Sequence, residues 1–370
     1  MENPFRTLSL PAGRRLIAVS DIHGHLTLLR ALLEKVNYIP GGDLLFLVGD
    51  LVEKGPENLA VLRYVHNLCA HGFVYPTMGN VDAFTLSMLD DDSEGNEARF
   101  YEYCELRRRF SGSSLFTEAL AELGLPLDGP GDAPAAKRAL RTHLAVEAAF
   151  LRGLPALIET ERYIFVHGGL PTPDVSRITA ADLPGLLKFD AFLENAPRFD
   201  KTVFVGHWPV VLYDGAVCCA NPIFDRERHI VSLDGGCGVK HGAQLNAVLV
   251  GPDGAFSCAY CDGLPQVRAL DAQARGADPF HLRWTERAVE RLSAENGVAR
   301  VRHSASGRIL DVPESYLYAD GGRLCCADFP ADRLEIAPGD LLSLVDETPL
   351  GYIVKKDGVS GLYGGRVRAL

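Results

Sequence analysis

Residues 14–25 read Arg14-Arg15-Leu16-Ile17-Ala18-Val19-Ser20-Asp21-Ile22-His23-Gly24-His25. Leu16 to Val19 is a short apolar, partly β-branched run, the pattern of a buried strand. It ends in a polar cluster where Asp21 and His23 are separated by one residue. In extended backbone, side chains two apart share a face, so the carboxylate and the imidazole can address one target. Hard oxygen and imidazole nitrogen together suit a divalent first-row metal. Gly24 permits a tight turn, and His25 to Lys35, apolar at Leu28, Leu29, Leu32 and Leu33, has the spacing of an amphipathic helix.

The same grammar repeats downstream. Asp43 to Val48 is a second buried strand followed by Gly49-Asp50-Leu51-Val52-Glu53-Lys54-Gly55-Pro56, and Asn58 to Ala70 reads as a helix. Phe73 to Tyr75 is a third strand, running into Gly79-Asn80-Val81-Asp82. Successive strand–polar loop–helix units predict βαβ organisation, with ligands at the carboxyl ends of the strands. Further strands are expected at Tyr163–Val166, Thr202–Val205, His229–Leu233 and Gln244–Val250; few helices separate them, so a second sheet packed on the first is predicted. The first two end in His167-Gly168-Gly169 and Gly206-His207-Trp208-Pro209.

Composition narrows the class. The chain has 370 residues, 47% of them hydrophobic and 23% charged, enough for about two soluble domains. It contains no apolar run of membrane-spanning length and no secretory h-region near its start, so a cytoplasmic location without membrane attachment is the expectation. A formal charge of −11 disfavours nonspecific nucleic-acid binding, although bound metals could still present a positive field to a phosphate. The nine cysteines are scattered, and Cys258-x-x-Cys261 has no second pair at zinc spacing; free thiols are expected.

Between Ala83 and Pro155 the character changes to a helical insertion, with helices expected near Glu97–Arg109 and Ala135–Leu151. Its Arg107-Arg108-Arg109 cluster reads as a solvated helix face or a partner for the helix C-terminus, with contact to an anionic substrate as the functional alternative. The expected domains are 1–261, a linker over 262–279, and a small β-rich domain over 280–370. In the last, Leu334–Ile336, Leu341–Val345 and Leu350–Val354 are predicted strands, and Lys355-Lys356-Asp357-Gly358 is a hairpin turn signal. Leu334 to Arg368 resembles a small SH3-like barrel, which implies a protein or peptide partner, with a structural cap or dimer contact as the alternative.

Asp21, His23, Asp50, Asn80, His167 and His207 each directly follow an apolar strand, so five strand ends would deliver oxygen and nitrogen donors to one rim. The ordered set Ser20-Asp21-Ile22-His23-Gly24, Gly49-Asp50-Leu51-Val52-Glu53-Lys54-Gly55, Gly79-Asn80-Val81-Asp82, His167-Gly168-Gly169 and Gly206-His207 resembles the calcineurin-like metallophosphoesterases, and within them the phosphoprotein-phosphatase branch. Asp234-Gly235-Gly236-Cys237 is similar to a late segment of that family. The resemblance covers roughly residues 14 to 255. It implies an α/β fold, a β-sandwich flanked by helices, and two divalent metal ions, manganese first, with iron, zinc or nickel as alternatives. It further implies that Asp21, His23 and Asp50 hold one metal, that Asp50 bridges to the second, and that Asn80, His167 and His207 complete the site. A metal-bridging hydroxide would then attack a phosphorylated protein or a small phosphoester. Catalytic roles fall to Asp50, Lys54 and Asp82, with Lys54 also contacting the substrate phosphate.

Two departures from the family pattern bear on chemistry. Val81 stands where the family has the histidine thought to protonate the leaving group, and Glu53-Lys54 stands where it has Asp-Arg. Valine donates no proton, and lysine keeps the charge without the bidentate fork. His25, His71 and His241 are candidate substitutes. Pro209 stands where related phosphodiesterases carry a further histidine. The functional expectation is a serine/threonine phosphatase-like phosphomonoesterase, with a dinucleoside-tetraphosphatase-like hydrolase or a phosphodiesterase as alternatives. The alternative of another class is an inactive phosphatase-fold scaffold.

Overall fold

Alternation along one strand explains the layering. The computed structural model describes residues 4–370. Leu16–Val19 (β2, after the short β1 at Phe5–Thr7) is buried on both faces. Leu16 and Ala18 join a core with Leu44, Phe46, Phe165 and Phe204, whereas Ile17 and Val19 join a different one with Leu29, Leu32, Leu45 and Leu62. A strand buried on both sides needs apolar residues at every position, and that is what Leu-Ile-Ala-Val supplies.

β2 lies parallel to Leu44–Val48 (β3), which lies parallel to Phe73–Thr77 (β4). The connecting helices are Leu26–Lys35 (α1) and Asn58–His71 (α2). Helix Asn80–Asp90 (α3) then leads into the insertion, made of Asn96–Ser111 (α4), Leu115–Leu123 (α5), Ala133–His143 (α6) and Ala145–Arg152 (α7). The chain returns through Leu157–Glu159 (β5), Tyr163–Val166 (β6) and Thr202–Val205 (β7). After Cys218–Cys219 (β8) come Ile223–Asp225 (β9), Ile230–Ser232 (β10), Leu245–Val250 (β11) and Phe256–Cys261 (β12). One sheet runs β12-β11-β2-β3-β4 and the other β1-β5-β6-β7-β10-β9. They meet face to face through Phe46, stacked 3.7 Å from Phe165, which stacks 4.9 Å from Phe204. The α/β sandwich with flanking helices is therefore the fold, as the sequence indicates.

The differences from expectation are local. The single helix expected over 135–151 is two, broken at Leu144, whose backbone leaves helical geometry without a glycine or proline to announce it. Helix α5 was not anticipated, although Ser114 caps it at one end and Gly124 at the other.

The chain divides into two compact units. The first runs through Trp208 and takes in Pro222–Val239 and Leu245–Cys261; the second comprises Pro209–Asn221, Lys240–Gln244 and Asp262–Leu370. Two short stretches expected in the first domain thus belong to the second unit, because Cys218–Cys219 extends that unit's sheet beside Val359–Tyr363. Nor is 262–279 simply a linker. Gln266–Ala269 pairs with Leu341–Thr348 on one side and Val367–Ala369 on the other, partners too distant in sequence for a local pattern to reveal. Leu334–Ile336 is not a strand: both apolar residues are buried in the core, but Ile336 makes only an isolated bridge to Gln273. Beyond short 3-10 turns the second unit is all-β, and Asp357-Gly358, both at positive φ, turn the expected hairpin.

Candidate metal centre

The six residues named from the sequence as metal ligands stand just past the carboxyl ends of β2, β3, β4, β6 and β7, Asn80 as the first residue of α3. Asp21, Asp50 and His167 are buried, and one ligand atom from each lies within 4.8 Å of the others. His23 Nε2 is 3.7 Å from Asp21 Oδ1 and 3.6 Å from Asp50 Oδ2. His167 Nε2 is 3.4 Å from Asp50 Oδ1, so Asp50 stands between the two imidazoles. Asn80 Oδ1 lies 3.1 Å from His167 Nε2 and 2.9 Å from His207 Nδ1. In two of the three histidines the other nitrogen is anchored on a backbone carbonyl: His167 Nδ1 meets that of Val48 at 2.9 Å, and His23 Nδ1 meets that of Val52 at 3.3 Å. Such anchoring leaves Nε2 facing the centre, the arrangement usual in metal-ligating histidines.

The backbone pays conformational strain to achieve this. Asp21, His23, Asp50 and His207 all adopt positive φ, between 46° and 67°. Each such residue costs of order 1–3 kcal/mol and persists only where its surroundings over-determine it. Here the close approach is made possible by glycine: a Cβ at Gly79 would lie 2.1 Å from Asp50 Oδ1, and one at Gly206 would lie 2.4 Å from Asp21 Oδ2. The liberated amides are used in turn, with Val81 N–H donating to Asp50 Oδ1 and His207 N–H to Asp21 Oδ2.

Against this geometry stands the comparison with known proteins. The profile of the calcineurin-like phosphoesterases matches residues 14–245, most of the chain. The chain belongs to the calcineurin-like phosphoesterases. A symmetrical bis(5'-nucleosyl)-tetraphosphatase of Thioalkalivibrio sulfidiphilus is 55% identical over 51 residues, 14% of this chain and 19% of that protein. Another so named, from Pectobacterium atrosepticum, is 44% identical over 70 residues, 19% of this chain and 24% of its own length. The chain therefore matches only about a fifth of the length of these relatives. Among solved structures, a protein serine/threonine phosphatase from Saccharomyces cerevisiae aligns over 71% of this chain and 85% of its own, at 14% identity and a TM-score of 0.43.

The electrostatics of this phosphoesterase favour a cation. Burial and the neighbouring Asp234 push the Asp21 carboxyl well above its usual range. Burial also raises Asp234, to about 6, against the pull of the Gly236 amide and of Lys54 and His167. For Asp50 burial acts upward too, but hydrogen-bonded His167, with His23 and Lys54, outweighs it and holds the carboxyl low. Burial, then the Lys54 ammonium, push His23 well below its ordinary value. Against burial, Asp50 and Asp21 push His167 up to about 10. The three buried carboxylates thus attract positive charge, and with the imidazoles and an amide oxygen they form a donor set of the hard-oxygen and nitrogen type that fits divalent ions.

Other expected site residues are placed differently. Lys54 Nζ is at the centre, 3.0 Å from His23 Nε2. Asp82 does not face the donors. It is fully buried, and its carboxylate accepts the Gly79 amide on one oxygen and the Leu51 and Val52 amides on the other, tying two ligand-bearing loops together. Glu53 turns toward the insertion: Leu115 N–H donates to Oε1, and Arg107 Nε lies 3.8 Å from Oε2. Of the histidines considered as substitute donors, His71 closes the far end of α2, about 20 Å of helix from Asn58. His241 belongs to the second unit, 3.7 Å from Asp346. His25 is beside the centre, its Nδ1 held 2.7 Å from the His23 carbonyl.

Sequence reasoning missed Asp190, whose Oδ1 lies 2.7 Å from His207 Nε2. It gave Asp234 no role, although that carboxylate is buried among the donors. Asp234 carried a signal in its Asp-Gly-Gly turn; Asp190 carried none.

Proposed function

We propose that this chain is a two-metal hydrolase of phosphoanhydrides, with nucleoside polyphosphates as the substrate class. Asp21, His23, Asp50, Asn80, His167 and His207 would hold the two ions, with Asp50 shared. Divalent ions held there would draw charge from the phosphoryl oxygens and acidify water for in-line attack. The remaining chemistry belongs to the protein. Lys54 adds a positive charge beside His23, suited to a non-bridging phosphate oxygen. Asp82 keeps the Gly79 and Leu51 loops in register, and Asp190 orients His207.

The observation that carries the reading is Val81. It occupies the second residue of α3, 7% exposed, where its backbone reaches Asp50 but its side chain has no proton to give. As the water oxygen bonds to phosphorus and the phosphorus–oxygen bond to the leaving group breaks, that oxygen must depart as an anion. A nucleotide leaves readily as an anion; a serine or threonine alkoxide does not. Loss of a general acid costs about 10²–10⁴ in rate when the leaving group is poor. The tetraphosphatase names of the locally similar relatives agree with this class.

A second reading rests on Pro209, which removes the extra histidine of the phosphodiesterases and so favours the phosphoprotein-phosphatase branch. One assay separates the two: hydrolysis of a dinucleoside tetraphosphate and of a phosphoserine peptide, with Mn²⁺ and with chelator. The tetraphosphate is expected to be cleaved at least about 10²-fold faster, and chelator to stop it. Preference for the phosphopeptide establishes the second reading instead. Turnover of neither substrate with any divalent metal leaves the binding-scaffold reading.

A further inference from the structure

Helix α4 of the insertion meets α3 about one turn beyond Val81. Asn80 and Phe84 lie four residues apart on α3, and so on one face, one turn from each other. Phe84 is 39% exposed, and its ring meets that of Tyr103 on α4 edge-on at 5.5 Å. One turn further along α4, the Arg107 guanidinium lies 5.3 Å from the Tyr103 ring centre. Arg107 also stands 3.8 Å from Glu53 Oε2, in the loop that carries Lys54. Its Nε is buried without a hydrogen-bond partner, as is that Glu53 oxygen. From Asn80 outward, the sequence of groups is thus metal-donor position, exposed aromatic ring, second ring, and a partly exposed cation.

We infer that Phe84, Tyr103 and Arg107 form a nucleotide subsite, in which Phe84 stacks on the base and Arg107 receives phosphate oxygens beyond the reacting phosphorus. The inference rests on the hydrolase reading above and adds to it the group that recognises the leaving nucleotide. Three observations support that ligand over a protein surface. The ring sits one helical turn from a metal-ligand position. The cation beside it is 21% exposed, and a phosphate oxygen pairs with its charge where an apolar side chain does not. In addition, Lys54 and Arg107 flank Glu53, so two positive charges serve a single-residue span on an otherwise acidic chain. Base–aromatic stacking tolerates any base, so the subsite selects nucleotides over inorganic phosphates without choosing among bases.

Equilibrium binding tests this without turnover. Calorimetry on the Mn²⁺-loaded protein would compare α,β-methylene-ADP with methylene diphosphonate, which differ by the nucleoside. The wild type is expected to bind the nucleotide about tenfold more tightly. Phe84→Ala and Phe84→Leu should each erase that preference while methylene diphosphonate binds as before; leucine keeps the packing on Tyr103, so a folding defect in the alanine variant does not decide the matter. Arg107→Ala should weaken both ligands about tenfold. An unchanged ratio of the two affinities in both Phe84 variants overturns the subsite. If the preference disappears as expected but the wild type cleaves no polyphosphate, the subsite stands and the hydrolase reading falls. If polyphosphate is cleaved and the ratio does not move, only the subsite falls.

Discussion

Phe46 and Asp50 are four residues apart on and just beyond one strand, and they obey opposite rules. Phe46 is fully buried in regular backbone, its ring stacked on Phe165 and tilted against Tyr75. Asp50 is just as buried, but its backbone is left-handed and its carboxylate sits near those of Asp21 and Asp234. The inner half of the strand gains free energy from every contact. The outer end spends some of it on strain and on charge held out of water. That contrast is how a functional rim differs from a core, and it leads to separable consequences for mutation.

The largest effect is expected at the rim. Asp50→Asn removes the carboxylate shared between His23 and His167, and should lower phosphoesterase turnover by about 10³-fold or more, given the several kcal/mol that metal ions contribute to such transition states. Melting temperature should move by only a few degrees. Metal content by elemental analysis should fall with activity; retention of both would remove the contrast. In the core, Phe46→Ala should do the reverse. Deleting a buried ring costs about 3–5 kcal/mol of stability, read by urea denaturation, while the folded fraction keeps its turnover and metal.

Glu53 sharpens the comparison because it is a rim carboxylate turned into the insertion. Burial raises it from 4.5 to about 7, against the Leu115 amide and Arg107. The folded protein therefore holds this proton more tightly than the unfolded chain does, and stability falls as pH rises from about 4.5 to about 7. The gap corresponds to on the order of 3 kcal/mol. Glu53→Gln should flatten that decline, so that unfolding free energies measured at pH 5 and pH 8 differ less than in the wild type. An unchanged pH dependence would place the penalty elsewhere. The smallest effect is expected at Asp190, half-exposed and bonded to His207 through one oxygen. Asp190→Asn should lower turnover only about threefold, since an exposed contact contributes little.

The contrast also marks what was legible in the sequence. Strand ends are the places where an apolar run meets a polar residue, so Asp21, Asp50, Asn80, His167 and His207 could each be picked out along the chain. Their convergence follows from strands lying side by side. Arg107 could not be read this way. Helix α4 has little amphipathic pattern, and its meeting with Glu53 depends on how the whole insertion folds back. The strand at Gln266–Ala269 was hidden for a related reason: distant partners stabilise it, and the break at Leu144 comes at a residue type that carries no breaking signal. Asp82 shows the converse limit, because a motif preserved its identity while the structure gave it a backbone-clamping task.

Position 81 decides whether the leaving group departs protonated or as an anion. The decisive measurement is kcat/KM for a series of aryl and alkyl phosphates of rising leaving-group pKa, with Mn²⁺, for the wild type and Val81→His. Without a proton donor, the wild-type rate should fall steeply along the series, and histidine should restore the alkyl substrates by about 10²-fold or more while scarcely changing the best aryl one. A flat wild-type series, with no gain from histidine, would contradict the account and point to His25 as the proton donor beside the metals.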